Sequence, residues 1–387
     1  MLKFTLFLIE FIIIFIKNEE DINKYNLFNP IAYTLLNENI IVFSNIGFLT
    51  FDSNFKLLYN NSFDEELKTM PDYIQLKAYY PSFLQIPEEE GGYAIILFLK
   101  NIYFFDKNEI LLKIIHIEDF PDFDDSFASN YEMNYYKEEN SEYFYTIIVY
   151  YYTTSNFDDK IINFYYKINA DGNNILLNNK TYKNEDEVLA LGFSITCQKL
   201  IANDSYKYIT CFYQFNKENK YKISEISFKP DDDLNYLEER KYFEITDESH
   251  FFYNSVSTTN GDGSKAYVCY SSYDNSASCF YFDINLRQFS NIYIFGKNCK
   301  NDLFSLNIKY FSIKNEFVFS CVNKGGNGFY ISKFEENMNL IRPSNYGYFI
   351  KLEDNCKEAK TCSIIYTSKS NEYFLFTYDK CYIETND

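Results

Sequence analysis

Acid–base, thiol and metal-ligand chemistry in this 387-residue chain would fall chiefly to two histidines, nine cysteines and 55 aspartates and glutamates. The cysteines are the most ordered set. All lie in the second half, at Cys197, Cys211, Cys269, Cys279, Cys299, Cys321, Cys356, Cys362 and Cys381. Residues that face each other across a β-hairpin are centred on its turn. Cys197 and Cys211 are centred on position 204, inside the turn-forming Asn203-Asp-Ser205. Cys269 and Cys279 are centred on position 274, inside Ser272-Tyr-Asp-Asn-Ser276. Each pair is expected to lie opposed on adjacent strands at disulfide distance. Cys356 with Cys362 would close a small loop, Cys299 with Cys321 is the remaining pair, and Cys381 is left odd. The competing reading is reduced, buried thiols in a cytosolic protein. No Cys-x-x-Cys occurs, which argues against a zinc site.

The other reactive groups form no set. His116 sits in the apolar run Ile114-Ile-His-Ile117, and His250 sits in the polar stretch Asp247-Glu-Ser-His250. Neither is placed for a Ser-His-Asp or Cys-His arrangement. Lys324-Gly-Gly-Asn-Gly328 lacks the spacing of a phosphate-cradling loop and reads as a hairpin turn. The acidic runs Glu118-Asp-Phe-Pro-Asp-Phe-Asp-Asp125 and Asp231-Asp-Asp233 do not match an EF-hand loop and read as solvated loops. Glycoside hydrolysis needs two facing acids, and 55 of them single out no pair. No catalytic, cofactor or metal residue is therefore assigned. Glycosylation acceptors occur at Asn60-Asn-Ser62, Asn179-Lys-Thr181 and Asn203-Asp-Ser205, and Asn203 has the added support of a proposed hairpin tip.

Composition narrows the partners. The net charge of −19 and the lack of any basic run exclude a nucleic-acid backbone. At the N-terminus, Lys3 precedes two apolar runs split by Glu10, and Lys17-Asn-Glu-Glu-Asp21 follows. Residues 1–17 are expected to be a secretory signal peptide, with an uncleaved anchor as the rival and a buried first strand as the third option. No later segment is long enough to cross a membrane. The 40 Phe and 39 Tyr favour strands and large buried area. With only 12 Gly and 7 Pro, most turns must come from Asn, Asp and Ser.

The elements that would position these groups recur. A polar turn followed by an apolar strand returns about every 55 residues, centred on Val42, Ile96, Ile148, Ile209, Val268, Val318 and Phe374. A second marker ends a strand and opens a turn at Phe51-Asp52, Phe105-Asp106, Ile168-Asn169, Phe228-Lys229, Phe282-Asp283 and Phe334-Glu335. Four strands are expected per unit. In unit two they are 74–85, 93–100, 102–106 and 110–117; in unit five, 251–258, 266–271, 279–283 and 289–295.

The stretch Thr259-Asn-Gly-Asp-Gly-Ser-Lys-Ala-Tyr-Val268 resembles the Asp-Gly-x-Lys turn and following strand of bacterial TolB-type propeller repeats. The resemblance covers one unit; it implies a fold and no activity. The Trp-Asp pair of WD repeats is missing, because the chain has no Trp. Arg240, Arg287 and Arg342 fall in three successive units and invite comparison with the carboxylate-binding arginines of sialidase propellers. They lie towards the outermost strands, however, and the Trp-containing Asp-box is absent.

The expected fold is all-β, a β-propeller of about seven four-stranded blades over residues 18–387. The last blade is incomplete or is closed by residues 18–29. Two β-sandwiches or a propeller of fewer blades are the competing architectures. The expected function is a secreted or surface-exposed, non-catalytic binding module for a protein or glycan, without cofactor, using the loop face around the axis. The alternative is an extracellular carbohydrate-active hydrolase or lyase with axial carboxylates.

Overall fold

A sheet with one wet face alternates apolar and polar residues, whereas a sheet covered on both faces carries apolar residues in an unbroken run. This chain shows the second pattern. Lys265–Ser271 is buried from Ala266 onward, and Glu316–Val322 is buried at every position.

The computed structural model describes the strands between residues 31 and 376 and, from 194 to 341, most of the turns joining them. These residues form seven antiparallel sheets and no helix. Sheet 1 comprises Ile31–Thr34, Ile40–Ser44, Gly47–Phe51 and Leu57–Ser62. Sheet 2 comprises Ser82–Gln85, Ala94–Phe98, Asn101–Phe105 and Leu111–His116. Sheet 3 runs Ser126–Tyr136, Tyr143–Thr154, Asp159–Asn169 and Asn174–Tyr182. In sheet 4 a broken first strand, Val188–Leu189 and Ile195–Ile201, is followed by Lys207–Lys217, Lys220–Phe228 and Tyr242–Ile245. Sheet 5 has Asn254–Thr259, Lys265–Ser271, Ala277–Asp283 and a broken fourth strand, Gln288–Phe289 and Tyr293–Gly296. Sheet 6 has Leu306–Phe311, Glu316–Val322, Gly328–Phe334 and Tyr348–Lys351, and sheet 7 has Ser363–Thr367 and Glu372–Phe376.

The sheets form a closed ring. First strands adjoin from sheet 2 to 3, 3 to 4, 4 to 5, 5 to 6 and 6 to 7, and the first strand of sheet 7 packs on that of sheet 1. Sheets 1 and 2 meet through Phe48, whose ring stands edge-on to Tyr103 and Phe105 at 6.5 and 5.5 Å. Sheets fanned about an axis in this way are a β-propeller. Each strand centre named above lies in the second strand of its sheet, and each second marker closes a third strand. Residues 1–17, residues 18–29 and the stretch 74–81 of the expected unit-two strand lie outside the described residues.

Side chains of one strand serve two interfaces. From Lys265–Ser271, Ala266, Val268 and Tyr270 join Leu200, Phe212 and Ile223 of sheet 4 in one cluster. Tyr267 and Cys269 point the other way and join Leu306, Ile308, Phe317 and Phe319 of sheet 6. Phe317 stacks on Phe334 at 5.1 Å and lies 4.0 Å from Tyr267, centroid to centroid. Near the axis the contact turns polar. Ser194 bonds Ser255 at 2.6 Å, Thr196 bonds Ser257 at 2.5 Å, and Gln198 Nε2 donates to Ser257 Oγ at 2.9 Å.

The turns use side-chain oxygens in place of glycine. Asp204, Asp262 and Asp274 each accept through Oδ1 from the main-chain N–H two residues on, at 2.8–2.9 Å. Asp283 accepts from both Asn285 and Leu286, at 2.9 and 3.1 Å. Such Asx turns hold the chain without a flexible residue. In the TolB-like turn, Asn260 exchanges bonds with Lys265 and Gly263 supplies a φ of 73°. The fourth strand of sheet 5 departs from the continuous 289–295 expected. Ser290 occupies the break, and its Oγ accepts from Tyr281 N at 2.9 Å, taking the place of a ladder carbonyl.

Replacing Phe317 by Ala removes ring contacts to both Tyr267 and Phe334. The expected loss is about 3–5 kcal/mol in denaturant unfolding, and a loss under about 1 kcal/mol would contradict the packed core between sheets 5 and 6.

Candidate functional site

The cysteines organise sheets 4 to 6. Cys197 and Cys211, opposed on the first and second strands of sheet 4, are bonded, with an S–S distance of 2.06 Å. Cys269 and Cys279, opposed on the second and third strands of sheet 5, are bonded at 2.04 Å. Cys299, between sheets 5 and 6, is bonded to Cys321 at 2.10 Å. All six are buried, and the latter two disulfides share one core cluster. Gly296 lies against that cluster, where a Cβ would come within 2.5 Å of Cys299 Sγ. Cys356, Cys362 and Cys381 lie outside the described residues.

The remaining sequence candidates do not converge. His116 is exposed on the outermost strand of sheet 2, with Nδ1 3.0 Å from Asn101 Oδ1. His250, Arg240, Arg342 and both acidic runs lie outside the described residues. Among the described residues no three His, Cys, Asp or Glu are grouped to hold a metal ion. Lys324–Gly328 forms a hairpin turn in which Gly326 N donates to Asn323 O at 2.7 Å. Arg287 sits in the outer turn of sheet 5 at φ 53° and pairs across the interface with Glu225, which is fully buried on the third strand of sheet 4. Ser227 Oγ donates to the second carboxylate oxygen at 2.8 Å. The pair fastens two blades together and is turned away from the axis.

The axis itself is formed by the first strands. Among the described residues of all seven, Glu132 is the single carboxylate, and Lys199 and Lys309 are the two cations. Lys199 Nζ lies 3.8 Å from the centroid of the Tyr135 ring. Glu132 and Lys309 are both half-buried on their strands. Burial pushes the Glu132 carboxyl up to about 8 and the Lys309 ammonium down to about 8. Glu132 is therefore mostly protonated at neutral pH. On the same face of its strand, Asn134 is buried with Nδ2 unmatched by any protein acceptor, and on the Lys309 face Asn307 Oδ1 is likewise unmatched. This set offers hydrogen bonds to a polar ligand. Among the described residues of the first strands there is no second acid to make a glycosidase pair. No motif marks Glu132 in the sequence; the only cue is an acid inside an aromatic, strand-forming stretch.

A second polar surface lies at the loop end of sheets 4 and 5. Tyr206 and Tyr208 pack at 5.2 Å, and Lys229 Nζ sits 4.3 Å from the Tyr206 ring centroid. Burial, then the Asp204 charge, raises the Tyr208 hydroxyl. The neighbouring turn reaches this surface through Asn285 Oδ1, which accepts from Asn203 N at 2.7 Å, and leaves Leu286 65% exposed.

No protein-family model and no curated protein sequence matches this chain. Similar solved structures exist at low identity. The BP39L lectin from Burkholderia pseudomallei aligns with a TM-score of 0.53 at 8% identity, covering 80% of this chain and 82% of the lectin. The Pan2 WD40 domain of Neurospora crassa aligns at 0.45 with 12% identity, covering 89% and 86%. The WD40 domain of SCAP from fission yeast aligns at 0.42 with 7% identity, covering 91% and 73%. The likeness is one of fold.

Two expectations follow from this geometry. Arg287→Ala strands a buried carboxylate, so stability should fall, towards the lower end of roughly 3–5 kcal/mol because the guanidinium is part-exposed. Adding Glu225→Leu should restore most of the loss; an additive second loss would disprove the pairing. Glu132 has a folded pKa above its unfolded one, so its contribution is complete in acid and is lost as pH rises towards 8. Glu132→Gln should flatten the pH dependence of Tm between the ordinary carboxylate range and pH 8, and an unchanged profile would refute the assignment.

Proposed function

We propose that this chain is a secreted or surface-exposed β-propeller that binds a protein or glycan partner and performs no catalysis of its own. The observation that carries this reading is the chemistry of the axis: seven first strands present one carboxylate, two cations and unmatched amides. That composition recognises polar groups. Three buried disulfides fit an oxidising compartment, and residues 1–17 fit a secretory leader ahead of the 18–387 propeller. A lectin among the structural neighbours gives glycans a place beside proteins as partners. Among the described residues, no helix is long and apolar enough to cross a membrane.

The alternative is a carbohydrate-active hydrolase or lyase. One observation favours it: a carboxyl held protonated near neutrality is in the state a general acid requires, and Glu132 is such a group.

Expression of the chain with its own N-terminus in a eukaryotic secretory host separates these readings. The protein should reach the medium, with Cys197, Cys211, Cys269, Cys279, Cys299 and Cys321 alkylated only after reduction. Retention in the cytosol with reactive thiols would overturn the secreted reading. Turnover of a panel of aryl glycosides, lost in Glu132→Gln, would replace the binding module with the hydrolase.

A further inference from the structure

We infer that Asn203 is an N-glycosylation site that stays accessible after the propeller has folded. This rests on the secretory reading above. Glycan attachment requires Asn-x-Ser/Thr with x other than Pro, a free carboxamide and room for a bulky, solvated group. Asn203-Asp204-Ser205 meets the first requirement. The structure supplies the other two.

Residues 203–205 are exposed at the tip of the hairpin that joins the first two strands of sheet 4. The hydrogen bonds that fix the tip are made by other groups. Ala202 N donates to Tyr206 O at 2.8 Å, Ser205 N donates to Ala202 O at 2.8 Å, and Tyr206 N donates to Asp204 Oδ1 at 2.9 Å. Asn203 contributes its main-chain N–H, which donates to Asn285 Oδ1 at 2.7 Å, and its carboxamide is left outside the set. Ser205 takes a left-handed φ of 63°, which reverses the chain within three residues and projects the acceptor beyond the strand ends. Below the tip, the Cys197–Cys211 bond closes the same hairpin, so its geometry does not depend on packing at the tip.

The other two acceptors are placed differently. Asn60 lies within Leu57–Ser62, in register with Leu49, and Asn179 lies within Asn174–Tyr182, in register with Phe164. Their main chain is committed to a ladder once the sheets form. Asn203 alone of the three sits in a turn.

In the reaction, Asn203 Nδ2 attacks the anomeric carbon of an oligosaccharide carried on a polyisoprenoid pyrophosphate. The N–C bond forms as the bond from that carbon to the pyrophosphate oxygen breaks. The lipid pyrophosphate leaves, and Nδ2 gives up one proton. The glycan then stands on the loop face beside Tyr206 and the Asn285 turn.

The full chain is secreted from a eukaryotic host behind a leader of established efficiency, so that entry into the pathway does not depend on residues 1–17. A parallel culture uses the chain's own N-terminus. Peptide mass spectrometry should find Asn203 carrying a glycan in most molecules. Amidase treatment of the native, undenatured protein should remove it and convert Asn203 to Asp. Asn203→Gln and Ser205→Ala should each lose that mass shift, and Ser205→Thr should keep it. Recovery of unmodified Asn203 from the secreted protein overturns the inference, as does a glycan there that resists the amidase until the protein is denatured. Failure of the parallel culture alone counts against the secretory reading and leaves the result at Asn203 standing.

Discussion

Every sheet described here is too thin to shield itself. In sheets 4, 5 and 6 the second and third strands carry large apolar side chains on both faces, and only a neighbouring sheet on each side keeps water from them. That constraint turns a linear series of hairpins into a ring, because a row with open ends would leave two aromatic faces wet. It also explains the composition. Phe212 of sheet 4 meets Phe280, Phe282 and Phe289 of sheet 5 edge-on at 5.7–6.4 Å. Broad flat rings fill a gap between sheets with few side chains.

Around that apolar layer, polar contacts set how the blades sit. Towards the axis, hydroxyls and an amide join sheets 4 and 5 through Ser194, Thr196, Gln198, Ser255 and Ser257. Towards the rim, Glu225 and Arg287 perform the same task with a buried ion pair. Turn geometry adds a further link, since Ile201 N donates to Gly263 O at 2.9 Å and ties the loop ends of the two blades together. Disulfides reinforce the same two sheets, and a third, Cys299–Cys321, extends the frame to sheet 6. The two blades are thus fastened to each other at axis, rim and loop end.

Much of this was legible in the residues alone, for local reasons. Opposed strand positions follow from turn position, so Cys197 with Cys211 and Cys269 with Cys279 could be matched by counting. Two-sided burial leaves an unbroken apolar run, so strand centres such as Val268 and Val318 stood out. The break at Ser290 was not legible, because a serine replacing a ladder carbonyl has no distinct pattern. Arg287 was noticed for its type and spacing, but its partner Glu225 is 62 residues away on another sheet. Glu132 carried no motif; it stands out only as the one acid among the described first strands, which are drawn from the whole chain.

The sequence by itself determined the strands, their turns and the opposed cysteines, because each depends on residues within one hairpin. Only the tertiary structure decided which sheets meet, which strands line the axis and which charges are buried there. Those depend on blades brought together from distant stretches of chain, and no local spacing records them.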